Sequence, residues 1–575
     1  MLHKGSIAAF VGILSLGVAG KVGAQDKFSY AGCADITQAD FNQVLILDNT
    51  KDASLDEVTR FSVAYDGSVY YSERGGTLKV LKTTGTVVKL GKVNSYPTTS
   101  PLKKQLNNVN NEFGLVGMQL DPNFETNHFI YVDYQMATED SSRLARFTVS
   151  NDVLDMTSEK VILEWPTQKD YCCHTGGDIR IDNKGDLWIS VGNNTLNAAS
   201  DGTDSSYVDG SFPNSVADDQ GHAANSNDLR GKILRIHPTA DGSYTIPAGN
   251  LKDYYASMYT ASELAKIRPE IYTMGHRNPY TISVDNQNGL LTWGDVGPDN
   301  GYATEEYNLV SHPGFMGWPY FAGTATNPNY IYRMKKDPAA PLNTSSNNTG
   351  VQMLPPAQGA IYGYNQSAAV TGPIYRFSNA QTSAKKLPVQ LDGKWFVTDW
   401  KQGGAISAFT LDATYTKILT KSRFFTPAGG GFVHPLQISM GPDGVMYVLH
   451  YNNLYNFTTV GNNHGVMDVP FWKGLTTPPK IFRLEYKGAA CVAATSIHRD
   501  TGDERSLPKN VLLTLGMDGN RIVNVPIGSN GFRLYDISGK LVWEKKLAEV
   551  NLLSKQMISV PSSSGNGLFK VQFLF

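Results

Sequence analysis

Charge is scarce in this chain. Asp, Glu, Lys and Arg make up 18% of its 575 residues and nearly cancel, leaving a net charge of −2. No basic excess is left to hold a nucleic acid backbone or an acidic membrane surface, so neither is an expected partner. Long apolar runs are missing too: past residue 24 nothing is long enough to span a bilayer. Cysteine occurs only as Cys33, Cys172, Cys173 and Cys491, and no Cys-x-x-Cys-His motif is present, which excludes a c-type haem held by the chain itself. Helical patterning is rare, and the best helix lies over 251–268 with Ser262 as its cap.

What the chain holds instead are turn and strand formers. Its 55 Gly, 28 Pro and 29 Tyr favour an all-β protein. One phrase recurs, a turn of Asp or Asn with Gly followed by an apolar or aromatic strand. It occurs at 65–71, more loosely at 126–132, then at 183–189, 287–293, 391–397 and 442–448. Six irregularly spaced strand–turn units predict a six-bladed β-propeller with long loop insertions. The insertions are expected at 197–227 and 327–366, on the surface, where a rigid scaffold carries its binding loops.

Lys4, an apolar run over 7–20 and Val22-Gly23-Ala24 before Gln25 have the form of a secretory signal peptide over 1–24. The expected mature protein is secreted, displayed on the cell surface or held in the periplasm. The propeller is expected over 25–490, a polar linker over 491–508, and a small β-sandwich over 509–575 built from strands flanking Ser538-Gly539 and a last strand at 567–575. This last segment resembles the C-terminal sorting domains of secreted bacterial proteins; a plain accessory domain is the alternative.

An exported compartment lets disulfides persist. Cys33 precedes the first repeat and Cys491 follows the last, so in a closed ring these two are the expected partners. Cys172–Cys173 would then close a strained ring of their own. The competing pattern ties Cys172 and Cys173 each to a terminus.

That cysteine pair leads into Cys172-Cys173-His174-Thr175-Gly176-Gly177-Asp178, on a loop feeding a hairpin. A neutral imidazole is the side chain best matched to proton transfer near pH 7, and the glycines admit close approach. A histidine that merely hydrogen-bonds within its loop is the competing reading.

Several phrases, in this order, resemble the soluble PQQ-dependent glucose/sorbosone dehydrogenase family from about residue 45 to 487. They are 113–124 (FGLVGMQLDPNF), the Cys-Cys-His octet, 229–236 (LRGKILRI), 270–279 (EIYTMGHRNP), 293–299 (WGDVGPD) and Gly317-Trp318-Pro319. The resemblance implies a six-bladed propeller, PQQ and calcium as cofactors, a sugar or polysaccharide substrate and an external electron acceptor. It implies that His174 is the general base for the sugar C1 hydroxyl. Arg277 and Asn278 would lie beside PQQ, with the arginine facing its quinone oxygen. Lys401 would bind a PQQ carboxylate, and the Gly297 and Pro298 carbonyls would coordinate calcium. Hard calcium takes oxygen ligands, and a guanidinium stabilises the charge a quinone gains with hydride.

Asn193 stands where the family orients the base with a carboxylate. His434 falls where an arginine pair clamps PQQ. Val296 replaces a glutamine beside the calcium carbonyls, and Asp178 stands where an arginine is expected. The acidic stretch Asp295, Asp299 and Glu305-Glu306 could instead hold a structural calcium. Two functions therefore compete: a PQQ- and calcium-dependent sugar dehydrogenase, and a non-catalytic propeller that binds carbohydrate or a surface partner. If the signal reading is right, sequencing the N-terminus of exported protein returns Gln25 as the first residue; retention of residues 1–24 would contradict it.

Overall fold

The computed structural model describes residues 26–97, 112–171, 173–195, 218–297, 304–324, 337–365, 368–381, 383–400, 405–427, 434–451, 478–489 and 491, together with the backbone of six strands between 510 and 574. The expected signal peptide and most of the 491–508 linker lie outside these residues. The chain divides into two units, residues 1–492 and 493–575.

In the first unit the strands sort into six antiparallel blades of four principal strands each, so the β-propeller is the observed architecture. Each blade begins with an innermost strand: Val58–Val63, Leu115–Leu120, Ile179–Ile181, Thr281–Asp285, Ala369–Ile374 and Pro435–Met440. These six touch one another in sequence around the axis, the last returning to the first.

The recurring phrase marks the same place in every blade, the connection from the innermost strand to the second. The need is conformational. Gly67, Gly185, Gly289, Gly393 and Gly444 all sit there at positive φ, where a side chain is strained. In the second blade His128, at φ 57°, supplies the left-handed residue at the end of a short helix instead. Because these turns join innermost to second strands, they occupy one face of the ring. The segments entering the innermost strands and leaving the second strands therefore share the opposite face.

Apolar side chains fill the gaps between blades. One cluster joins the first and second blades, another the second and third, and so on; the cluster of Leu47, Phe61, Tyr71, Leu436 and Leu449 joins the sixth back to the first. The sixth blade is completed by the chain's own beginning: Phe41–Leu47 pairs antiparallel with Lys480–Tyr486. A disulfide, Cys33–Cys491, joins the segments flanking those two strands across 458 residues of sequence.

The second unit is all β in its described backbone. The strands Asn510–Leu515, Gly567–Leu574, Gly531–Asp536 and Leu541–Lys546 form one antiparallel sheet, and Ile522–Val525 pairs with Gln556–Ser559 in another.

Two expectations need correction. The single helix over 251–268 is three short turns, Leu251–Tyr254, Ala256–Met258 and Ala261–Leu264, and the cap is Thr260, which forms a capping box with Glu263. Ser262 lies one position inside that turn, too late to cap it. The polar stretch expected at the surface turns inward over its described end: residues 218–226 are buried, and Asn343 from the later insertion donates to the Gln220 and Ala224 carbonyls at 2.8 and 3.0 Å.

Closing so long a loop restricts the unfolded chain. Replacing Cys33 and Cys491 by serine should lower stability by about 2–5 kcal/mol, seen as a fall in Tm with the β-type circular dichroism retained. An unchanged Tm would show that strand pairing alone holds the ring.

Candidate active site

The loop carrying His174 enters the innermost strand of the third blade. Gly176 and Gly177 take φ of 68° and 113°, and His174 itself sits at 61°, a conformation residues with a Cβ rarely hold. Its backbone is pinned on both sides. The N–H donates to Glu112 Oε2 at 2.7 Å, and the C=O accepts from the Asn194 N–H at 2.9 Å. Cys173 packs with Tyr96 and Phe113 and is disulfide-bonded; Cys172 lies outside the described residues.

The imidazole is buried, and its Nδ1 lies 3.0 Å from Asn193 Oδ1. The Asn193 Nδ2 donates in turn to Asp219 Oδ1 at 2.7 Å. Burial drives the histidine pKa well below its ordinary value, and the nearby Arg277 guanidinium lowers it further; the Asn193 hydrogen bond opposes both. His174 is therefore neutral at pH 7, the form able to accept a proton.

Arg277 and Asn278 come from the segment entering the fourth blade and are tied to the third by backbone. The Asn193 N–H donates to the Arg277 carbonyl at 2.8 Å, and the Gly176 N–H donates to Asn278 Oδ1 at 3.1 Å. Arg277 Nη1 donates to the Val296 carbonyl at 3.0 Å. Behind them, Asp295 accepts from the Asn278 N–H at 2.7 Å and meets His276 Nδ1 at 3.2 Å. Gly192 is required by close approach, since a Cβ there would overlap the His174 carbonyl and press on Asn278 Oδ1.

His434 enters the sixth blade and stacks on Trp400, with ring centroids 4.3 Å apart and planes 17° apart. Burial pushes its pKa down to about 4, so it presents a neutral ring where the family pattern has positive charge. The Gly297 N–H donates to Glu305 Oε2 at 3.1 Å, and burial pushes that carboxyl up to about 8. Pro298 and Lys401 lie outside the described residues.

Of the carboxylates in the structural-calcium alternative, Asp299 lies outside the described residues, and the others hold hydrogen bonds within the chain. Asp295 holds Asn278 and His276, and Glu306 accepts from the Gly323 N–H and from Asn308 Nδ2. Among the described residues no group of three or more His, Cys, Asp or Glu side chains is arranged around a metal ion. Asp178 is engaged in the frame: buried, it pairs with Arg180 at 3.0 Å and Arg60 at 3.5 Å and accepts the Ile282 N–H at 2.9 Å, linking three blades.

Sequence reasoning missed Glu112, which bears on the base through its backbone, and Asp219. The latter was hidden in a stretch whose Asp, Ser, Asn and Gly content reads as solvent-exposed. Its one signal was position, since Asp218-Asp219 stands just upstream of the 229–236 phrase.

Comparison with known proteins adds to this geometry. The family model for glucose/sorbosone dehydrogenases matches residues 55–454. Quinoprotein glucose dehydrogenase B of Acinetobacter calcoaceticus is 21% identical over 462 residues, covering 73% of this chain and 87% of that protein. HIPL1 protein of Arabidopsis thaliana is 26% identical over 247 residues, covering 39% of this chain and 30% of that protein. The soluble aldose sugar dehydrogenase of Escherichia coli, in its apo form, shares the fold with a TM-score of 0.50 at 17% identity, over 78% of this chain and 99% of that one.

A depressed pKa has a testable sign. In an NMR titration of histidine-labelled protein, His174 should stay neutral well below pH 6.5. Because the unfolded chain takes up that proton near pH 6.5 and the folded one does not, His174 favours folding above this pH and loses the contribution as pH falls. A protonation midpoint at or above 6.5 would contradict its burial.

Proposed function

The chain belongs to the glucose/sorbosone dehydrogenase family, a family of oxidoreductases, and from that premise we propose that it oxidises a sugar or carbohydrate at the C1 hydroxyl with PQQ and calcium, outside the cytoplasm. The observation that carries the reading is His174: a buried, neutral imidazole with Nδ1 engaged by Asn193 and the Arg277 guanidinium beside it, at the face where innermost strands begin.

The donor set fits one edge of a planar quinone. A guanidinium, an amide and a neutral base converge from two adjacent blades, and the carbonyls of Gly297 and Pro298 would give calcium the hard oxygen it prefers. Lys401 would meet a carboxylate of the cofactor, and His434 would meet it as a neutral ring. When bound, PQQ supplies the acceptor for the hydride that leaves the sugar carbon. His174 takes the hydroxyl proton at Nε2 as the C1–O bond becomes a carbonyl. Asn193 holds the ring in place and, through Oδ1, steadies the second N–H of the imidazolium. Arg277 would face the quinone edge and supply positive charge there. The name of the Acinetobacter relative, a quinoprotein glucose dehydrogenase, supports the cofactor class. The signal-like start and the Cys33–Cys491 bond support an exported protein.

The test is reconstitution. Protein loaded with PQQ and calcium should change its quinone absorbance when sugars are added. His174→Ala should lower turnover by roughly 10²–10⁴-fold with the fold intact, and Arg277→Ala should weaken PQQ binding more than calcium binding. If calorimetry with calcium present finds no saturable PQQ uptake, the carbohydrate-binding reading replaces this one.

A further inference from the structure

Asn193 can face His174 with either end of its amide, and the two choices have opposite consequences. With the NH₂ group toward Nδ1, the ring would carry its proton on Nε2 and could not act there as a base. With the oxygen toward Nδ1, the proton must sit on Nδ1 and Nε2 keeps its lone pair.

The surroundings decide between them. Asp219 Oδ1 lies 2.7 Å from Asn193 Nδ2 and 2.6 Å from Thr195 Oγ1, so it accepts two hydrogen bonds. The Thr195 N–H, which can only donate, meets the other end of the Asn193 amide at 3.3 Å. The NH₂ end of Asn193 must therefore face Asp219, and its oxygen must face His174 Nδ1 at 3.0 Å. Neighbouring bonds agree. With the Thr195 hydroxyl proton given to Asp219, His222 Nδ1 faces two acceptors, Asn193 O at 3.1 Å and Thr195 Oγ1 at 3.4 Å. Asn193, Thr195 and Asp219 are each 0% exposed, so solvent has no access to rearrange the chain.

We infer that Asp219 is a positioning residue, which acts through Asn193 to hold His174 in the Nδ1–H tautomer with Nε2 free to take a proton. The carboxylate lies two hydrogen bonds from the ring, with the Asn193 amide between. The inference rests on the dehydrogenase reading for its catalytic meaning, but the tautomer is a property of the protein without cofactor.

The experiment is ¹⁵N NMR on histidine-labelled, cofactor-free full-length protein, with His174→Ala assigning the signals. The expected wild-type spectrum has a protonated, pyrrole-type Nδ1 and an unprotonated, pyridine-type Nε2. Asp219→Asn lets the amide chain run either way, so it should give a mixture of tautomers and lower turnover of the reconstituted enzyme by on the order of 10²-fold. The double variant Asn193→Asp/Asp219→Asn puts the carboxylate directly on Nδ1 with an amide donating to it, and should restore both the single tautomer and most of the activity. A merely structural Asp219 would not be rescued in this way. If Asp219→Asn unfolds, the double variant alone decides, because a folded, single-tautomer protein supports the inference and any other result overturns it. A single Nδ1–H tautomer with undiminished turnover in Asp219→Asn overturns it as well. A tautomer shift in Asp219→Asn, alongside wild-type protein that never oxidises a sugar, sinks the dehydrogenase reading and leaves the positioning role standing.

Discussion

Closure of the ring is the constraint on which the rest of the propeller unit depends. A four-stranded blade has two faces, and each has apolar side chains that must leave water. In a row of six blades the end faces would stay exposed. Joining the sixth blade to the first buries both, in the cluster around Leu47, Phe61 and Leu436. The joint is made by the strand Phe41–Leu47, which lies at the start of the chain yet belongs to the last blade. Nothing local holds it there, so its pairing with Lys480–Tyr486 and the Cys33–Cys491 bond do this work across most of the sequence.

Closure also makes the site. Once the innermost strands converge, the residues that enter them are brought to one face: Glu112 in the second blade, His174 in the third, Arg277 and Asn278 in the fourth, His434 in the sixth. They are then tied together across blades by hydrogen bonds such as the Asn193 N–H to the Arg277 carbonyl and the Gly176 N–H to Asn278 Oδ1. That mode of fixing explains why the site tolerates unusual side chains. An asparagine can stand where the family has a carboxylate because a buried aspartate from a neighbouring insertion sits behind it. His434 is held where its strand begins by stacking on Trp400.

The parts legible beforehand share one property: their cause is local. The blade count could be read because every innermost-to-second connection demands a left-handed residue, a glycine in five blades and His128 in the second. His174, Arg277 and Asn278 could be picked out because their motifs are contiguous. Where the cause is not local, composition misled. Residues 218–226 look solvated by residue type, yet they are buried because a second insertion closes over them and satisfies their polar groups. The helical signal over 251–268 failed first after Tyr254, where the opening turn ends, and again at Tyr259, whose extended backbone precedes the Thr260 cap.

The sequence by itself determined the all-β class, the number of blades, the residues that could do proton and anion chemistry, and the absence of a long apolar span past residue 24. These follow from turn chemistry, side-chain type and charge, which each segment carries wherever it lies. Only the tertiary structure decided that His174 is buried and neutral, that Asp178 serves the frame and not the site, and that Asp219 stands behind Asn193. Burial, and which partner lies within 3 Å of which atom, are properties of segments far apart in the chain. They come into being only when the ring closes and brings those segments together.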